Sequence, residues 1–124
     1  MNYSYSVIAQ EKGRYIEIVT AKVPLETEQQ ALDIMSICVE NGTTLLMLHA
    51  STLSESFFRL ATGAAGGILQ KLINYHIKTA FVLTESIVIP KRFQEMMLEA
   101  NKGGQYRFYY SKGEAEQWLL PSQE

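Results

Sequence analysis

Three stretches of the chain hold residue types from which a site could be built. The first is the loop His49-Ala50-Ser51-Thr52-Leu53-Ser54-Glu55-Ser56, rich in hydroxyls and carrying one imidazole. Hydroxyls so placed can bind a ligand, accept a phosphoryl group, or cap a helix. Capping is the favoured reading of Ser54 and Ser56, because such a loop satisfies backbone groups without further purpose. Phosphorylation at Ser51, Ser54 or Ser56 is the sharper alternative: it would set about −1.5 to −2 charges beside Phe57 and Phe58 and so switch a partner surface. The second stretch is Thr62-Gly63-Ala64-Ala65-Gly66-Gly67. A glycine-rich turn at a helix start exposes backbone N–H groups to an anion, and Lys71 lies one turn beyond Gly67. The spacing is not that of a Walker A loop, since no Gly-Lys-Ser/Thr follows. Each glycine costs a helix interior about 1 kcal/mol relative to alanine, so three of them need a reason. Close approach of the helix to a sheet, another helix or its own copy is sufficient, and is the favoured reading. The third set is Gln70, Lys71, Asn74 and Tyr75, which the helical repeat groups on one side as a recognition surface or a solvated face.

Other chemistries lack their parts. His49 and His76 are remote from each other and no third ligand accompanies them, so no metal site is expected. No nucleophile stands beside a base and no cofactor fingerprint occurs, so neither catalytic residues nor a cofactor are assigned. The only acid/base grouping open to an enzyme would be Glu55 or Glu85 beside His49 at the strand ends. Cys38 sits inside an apolar helical pattern and reads as a buried, inert thiol. Met35, Met47, Met96 and Met97 read as core filler. A net charge of −2 and a pI near 5.7 give no basic field for nucleic acid, even beside the aromatic run Tyr106 to Tyr110. No run is long enough to cross a membrane and no signal-peptide pattern opens the chain, so a soluble cytoplasmic protein is expected.

The elements that must hold these residues follow from periodicity. Leu45–Leu48 and Thr79–Leu83 are continuous apolar runs about 30 residues apart, a crossover distance, and strands without alternation are covered on both faces. They are expected to be neighbouring parallel strands. Between them a long helix is expected over Phe57 to Ile77. Upstream, Asn2–Gln10 and Arg14–Val19 flank Glu11-Lys12-Gly13 as an edge hairpin, with Tyr15, Glu17 and Val19 on its wetter face. Thr27 is expected to cap a helix with Ala31, Leu32, Ile34, Met35, Cys38 and Val39 inward, stopped at Asn41-Gly42. Pro90 opens a helix carrying Phe93, Met96, Met97 and Ala100 and ended by Gly103-Gly104. Gln105–Tyr110 forms the far edge strand. Ser111 and Glu114 form a capping box for a last helix with Ala115, Trp118 and Leu119 inward, stopped by Pro121. The result is an α/β fold, β-β-α-β-α-β-α-β-α, with one mixed, mostly parallel sheet and helices on both faces, as a single domain over residues 1–124.

Phe57, Phe58, Leu60, Thr62, Gly63, Ala65, Gly66, Leu69, Gln70, Lys71, Asn74, Tyr75 and Ala80, with Glu99, Asn101 and Gly103 further on, resemble the signature of the bacterial DUF4180 family. The resemblance covers nearly the whole chain. It implies a small α/β fold similar to the STAS/SpoIIAA class, and no established activity. The chain departs from the pattern at Gly67, where an acid is expected, and at Thr84-Glu85, where Gly-Asp is expected. The leading functional expectation is a non-catalytic interaction or regulatory module, homodimeric through the glycine-containing helix or an edge strand and open to a protein partner. The alternative is a binder of a small anionic or nucleotide-like ligand. The candidate residues are His49, Ser54, Ser56, Thr62, Gly63, Gly66, Gly67, Gln70, Lys71, Asn74 and Tyr75.

Overall fold

The computed structural model describes residues 3–120. Strands β1 (Tyr3–Gln10) and β2 (Gly13–Ala21) form an antiparallel hairpin, and Gly13 takes a φ of +139°, a conformation that suits glycine in its turn. There follow α1 (Glu28–Glu40), β3 (Leu45–His49), α2 (Ala64–Asn74), β4 (Lys78–Val82), α3 (Lys91–Ala100), β5 (Tyr106–Tyr109) and α4 (Lys112–Leu119). The sheet order is the chain order, β1-β2-β3-β4-β5. β1 is antiparallel to β2, and β2 to β5 are all parallel. The mixed, mostly parallel sheet with helices on both faces is therefore observed, including the same-direction pairing of β3 with β4, Leu46 opposite Thr79 and Leu48 opposite Phe81.

Alternation along each strand divides the core into two layers. Ile16, Ile18, Leu46, Leu48 and Phe81 face α1, α2 and α3, which contribute Ile34, Ile68, Leu72 and Phe93. Tyr15, Met47, Ala80 and Val82 face the other way, onto Ala115 and Leu119 of α4. At the centre of the larger layer Phe57 lies 5.7 Å from Phe81 and 5.8 Å from Phe93, centroid to centroid, and Phe81 stacks on Phe108 at 4.6 Å.

Local signals were resolved as their chemistry requires. Thr27 and Gln30 cap α1 reciprocally. Thr43 N–H reaches Cys38 O and Gly42 N–H reaches Val39 O, the paired bonds of a glycine-terminated helix, with Gly42 at φ +66°. Four expectations are corrected. The long helix over Phe57 to Ile77 is an 11-residue α2 preceded by three short 3₁₀ turns, because Gly63 at φ +79° breaks the α-helical path. Tyr15 and Glu17 do not face solvent: β2 is the second strand, and α4 covers them. On α1, Ile37 is buried where Val39 is expected, and Val39 is 70% exposed. At α4, Ser111 accepts from Glu114 N–H at 3.3 Å, which is the forward half of the capping box. The stop expected at Pro121, like Asn2, lies outside the described residues.

Candidate functional site

The starts of α1 and α2 are brought together by the segment between β2 and α1. Leu25 pairs with Leu53 in an isolated parallel bridge, Leu25 N–H donating to Thr52 O at 2.6 Å and Ser54 N–H to Leu25 O at 3.2 Å. This seam sets Glu26 beside the hydroxyl-rich loop. Ser54 caps its short 3₁₀ turn by accepting from Phe57 N–H at 3.2 Å and is 2.8 Å from the Ser56 hydroxyl. Ser56 donates to Glu26 Oε2 at 2.9 Å. Thr62 lies 2.7 Å from Ser56 O and accepts from Ala64 N–H at 3.2 Å, so its hydroxyl helps set the start of α2. Gly63 supplies the left-handed residue at that start. The outcome is an open cleft of about 450 Å³ lined by Glu26, Glu28, Ser56, Thr62, Gly63 and Gly67.

Its charge is set by α1. A Cβ on Gly67 would lie 3.0 Å from Glu28 Oε2, so the missing side chain lets the Glu28 carboxylate rest against the first turn of α2, where the helix dipole favours an anion. Glu28 also lies 3.8 Å from Lys71 Nζ. Close approach within the fold explains Gly67. A Cβ on Gly63 or Gly66 would meet nothing within 4 Å among the described residues, so packing against the sheet or another helix is corrected at both: Gly63 answers to its φ, and at Gly66 only approach by a second molecule is left of that reading.

Along α2, Ala65, Ile68, Leu69 and Leu72 are buried, and Gly66, Gln70 and Asn74 form the outer row. Gln70 Nε2 donates to Asn74 Oδ1 at 2.8 Å, leaving the other amide atoms of both residues directed to their surroundings. Tyr75 follows at the helix end, 52% exposed, and His76 closes the turn at φ +58°.

His49 does not join this group. It shares a face of β3 with Met47, on the α4 side, and its Nε2 lies 2.7 Å from Glu17 Oε2. Neither Glu55 nor Glu85 is its partner. A carboxylate only accepts, so Nε2 carries the proton. Lys112, the first residue of α4, donates to Glu17 Oε1 at 3.1 Å. Burial works to raise the Glu17 carboxyl, and the hydrogen bonds from His49 and Lys112 outweigh it, holding the group below the usual carboxylate range. Two further polar contacts secure α4 on the sheet: Tyr15 OH donates to Glu116 Oε2 at 2.5 Å and Lys78 Nζ to Trp118 O at 2.8 Å. Burial raises the Tyr15 hydroxyl, with Glu116 adding to it, so Tyr15 stays protonated. Sequence periodicity missed Glu17 because a charged residue alternating with apolar ones reads as solvent-facing.

A second opening, of about 530 Å³, lies at the carboxyl ends of β3 and β4 between Leu53, Phe58, Ile87 and Pro90, with the Glu55–Arg59 pair, 2.6 Å apart, at its rim. Burial pushes the Cys38 thiol up to about 12, which leaves it protonated and unreactive as expected. Among the described residues no group of three or more His, Cys, Asp or Glu could hold a metal ion, and no helix is long and apolar enough to cross a membrane. The family described as Domain of unknown function (DUF4180) matches residues 10–119, and the chain belongs to that family. No curated protein and no solved structure matches it.

Proposed function

We propose that residues 1–124 of this DUF4180 member act as a single STAS/SpoIIAA-like, non-catalytic interaction and regulatory module of the bacterial cytoplasm, homodimeric and offering the outer face of α2 to a protein partner. The observation that carries this reading is a division among the residues of the family resemblance. Phe57, Phe58, Ala65 and Leu69 are buried, while Thr62 and Asn101 spend their side chains on backbone hydrogen bonds, so folding accounts for them. Gly66, Gln70, Asn74 and Tyr75 lie at the surface, and among the described residues their one side-chain hydrogen bond is that between Gln70 and Asn74. A glycine in a helix without a local contact to justify it is suited to the close approach of another molecule.

The anionic-ligand alternative at residues 51–56 and 62–67 is less well supported, because the cleft already holds the carboxylates of Glu26 and Glu28, and Lys71 is committed to Glu28. Phosphorylation of Ser56 would set its charge against Glu26, repelling the acid that now accepts its hydrogen bond. The test is light scattering of the purified chain, combined with analysis of anything released on denaturation. A dimer that releases nothing supports the module. A stoichiometric small molecule, lost in Gly66→Leu, would replace it with the ligand-binding reading.

A further inference from the structure

We infer that β1 is the dimer contact: two copies pair antiparallel along their outer β1 edges, about a two-fold axis at Val7 normal to the sheet, joining two five-stranded sheets into one of ten. This rests on the homodimer reading above and says which surface makes it. An open edge strand is a template for another chain, and proteins guard such edges by shortness, charge, proline or a bulge. The β5 edge is guarded: it is four residues long, carries Arg107 and packs beside α3 and α4. The β1 edge is not. It runs eight residues, YSYSVIAQ, without a charge or a proline, and among the described residues it pairs only with β2. The one irregularity falls on the inner strand, where Ser4 opposes Thr20 and Tyr5 opposes Ile18, leaving Val19 as the extra residue. From Tyr5 to Gln10 the edge is regular.

A second copy fits this edge for two reasons. An uncharged strand sets no like charges opposite one another when it meets itself. An axis normal to the sheet also keeps each face on its own side, so only residues of the same face can oppose. Centred on Val7, the pairing sets Val7 against its own copy and Tyr5 against Ala9 on one face, with Ser6 against Ile8 and Ser4 against Gln10 on the other. Apolar residues thus meet across the face that carries Val7, which is 41% exposed in the single chain. The same axis turns both α2 outer faces to one side of the joined sheet, where one partner could span them.

Sedimentation velocity over a concentration series on the full chain, Val7→Glu and Gly66→Arg tests this. Neither residue belongs to the buried core, and circular dichroism checks the fold. The wild type is expected to dimerise, Val7→Glu to move the monomer–dimer midpoint to at least about tenfold higher concentration by opposing two carboxylates, and Gly66→Arg to leave it in place. Hydrogen exchange of the wild type supplies a readout independent of the variants: alternate β1 amides should exchange more slowly as concentration rises. A dimer that Val7→Glu leaves intact, one that Gly66→Arg alone dissociates, or β1 amides indifferent to concentration would overturn strand pairing while leaving self-association standing. A chain monomeric throughout would overturn both.

Discussion

Replacing Glu17 with glutamine removes the charge that Lys112 and His49 share while keeping the shape of the side chain. Glu17 is 6% exposed, and its oxygens lie 2.7 Å from His49 Nε2 and 3.1 Å from Lys112 Nζ. Two unit charges at that separation attract by roughly 5 kcal/mol at the effective dielectric of a partly exposed protein site. Desolvation of the carboxylate takes much of this back, and Lys112, half exposed, loses little when freed. The expected net loss for Glu17→Gln at neutral pH is about 1–3 kcal/mol. The sign with pH follows from the direction of the shift. Folding holds the Glu17 carboxyl below its ordinary range, so its contribution is fully present above the unfolded pKa of about 4.3 and is lost as pH falls through the folded value. Urea unfolding at pH 7 and pH 3, followed by Trp118 fluorescence and far-ultraviolet circular dichroism, measures both effects, because Trp118 lies on the helix that Lys112 begins. Wild type and variant should differ at pH 7 and converge in acid. A difference at pH 7 below about 0.3 kcal/mol, or one equally large at pH 3, would refute the account of the α4 anchorage.

The glycines of α2 should separate by cause. Gly63→Ala forces a side chain into a left-handed conformation and should cost about 1–2 kcal/mol in urea unfolding, whereas Gly66→Ala meets nothing and should stabilise by up to about 1 kcal/mol. Cys38 should resist thiol reagents in the native protein and react once denatured, as its buried, protonated thiol requires. Asn101 accepts from Phe108 N–H at 2.8 Å and donates to Phe108 O at 2.9 Å, so Asn101→Ala should lower stability by about 1–3 kcal/mol and speed exchange of the Phe108 amide.

What could be read from the sequence was whatever chemistry acts over a few residues. Ser54 caps Phe57 three positions on, Thr27 caps Gln30, and Gly42 closes α1, each a local bond with a local signature. The unbroken apolar runs of β3 and β4 announced burial on both faces, and the sheet bears them out. Long-range partners were not legible. Glu17 meets Lys112 from 95 positions away, and nothing near Glu17 in the chain marks that strand face as covered by a C-terminal helix. At Gly67 the composition told of a missing side chain, and only the fold shows that the space belongs to Glu28 of another helix. In the candidate set, Ser56, Thr62, Gly63 and Gly67 converge on one cleft, Gln70, Asn74 and Tyr75 lie further along α2, and His49 faces α4. A list drawn from one linear stretch thus divides over separate surfaces.

Native mass spectrometry of the purified chain, sprayed over a range of concentrations, bears most directly on the proposed module. The expected spectrum contains monomer and twice its mass, the larger species gaining as concentration rises, with no added small-molecule mass on either. A monomer at every concentration, or a stoichiometric adduct that survives mild desolvation, would contradict it.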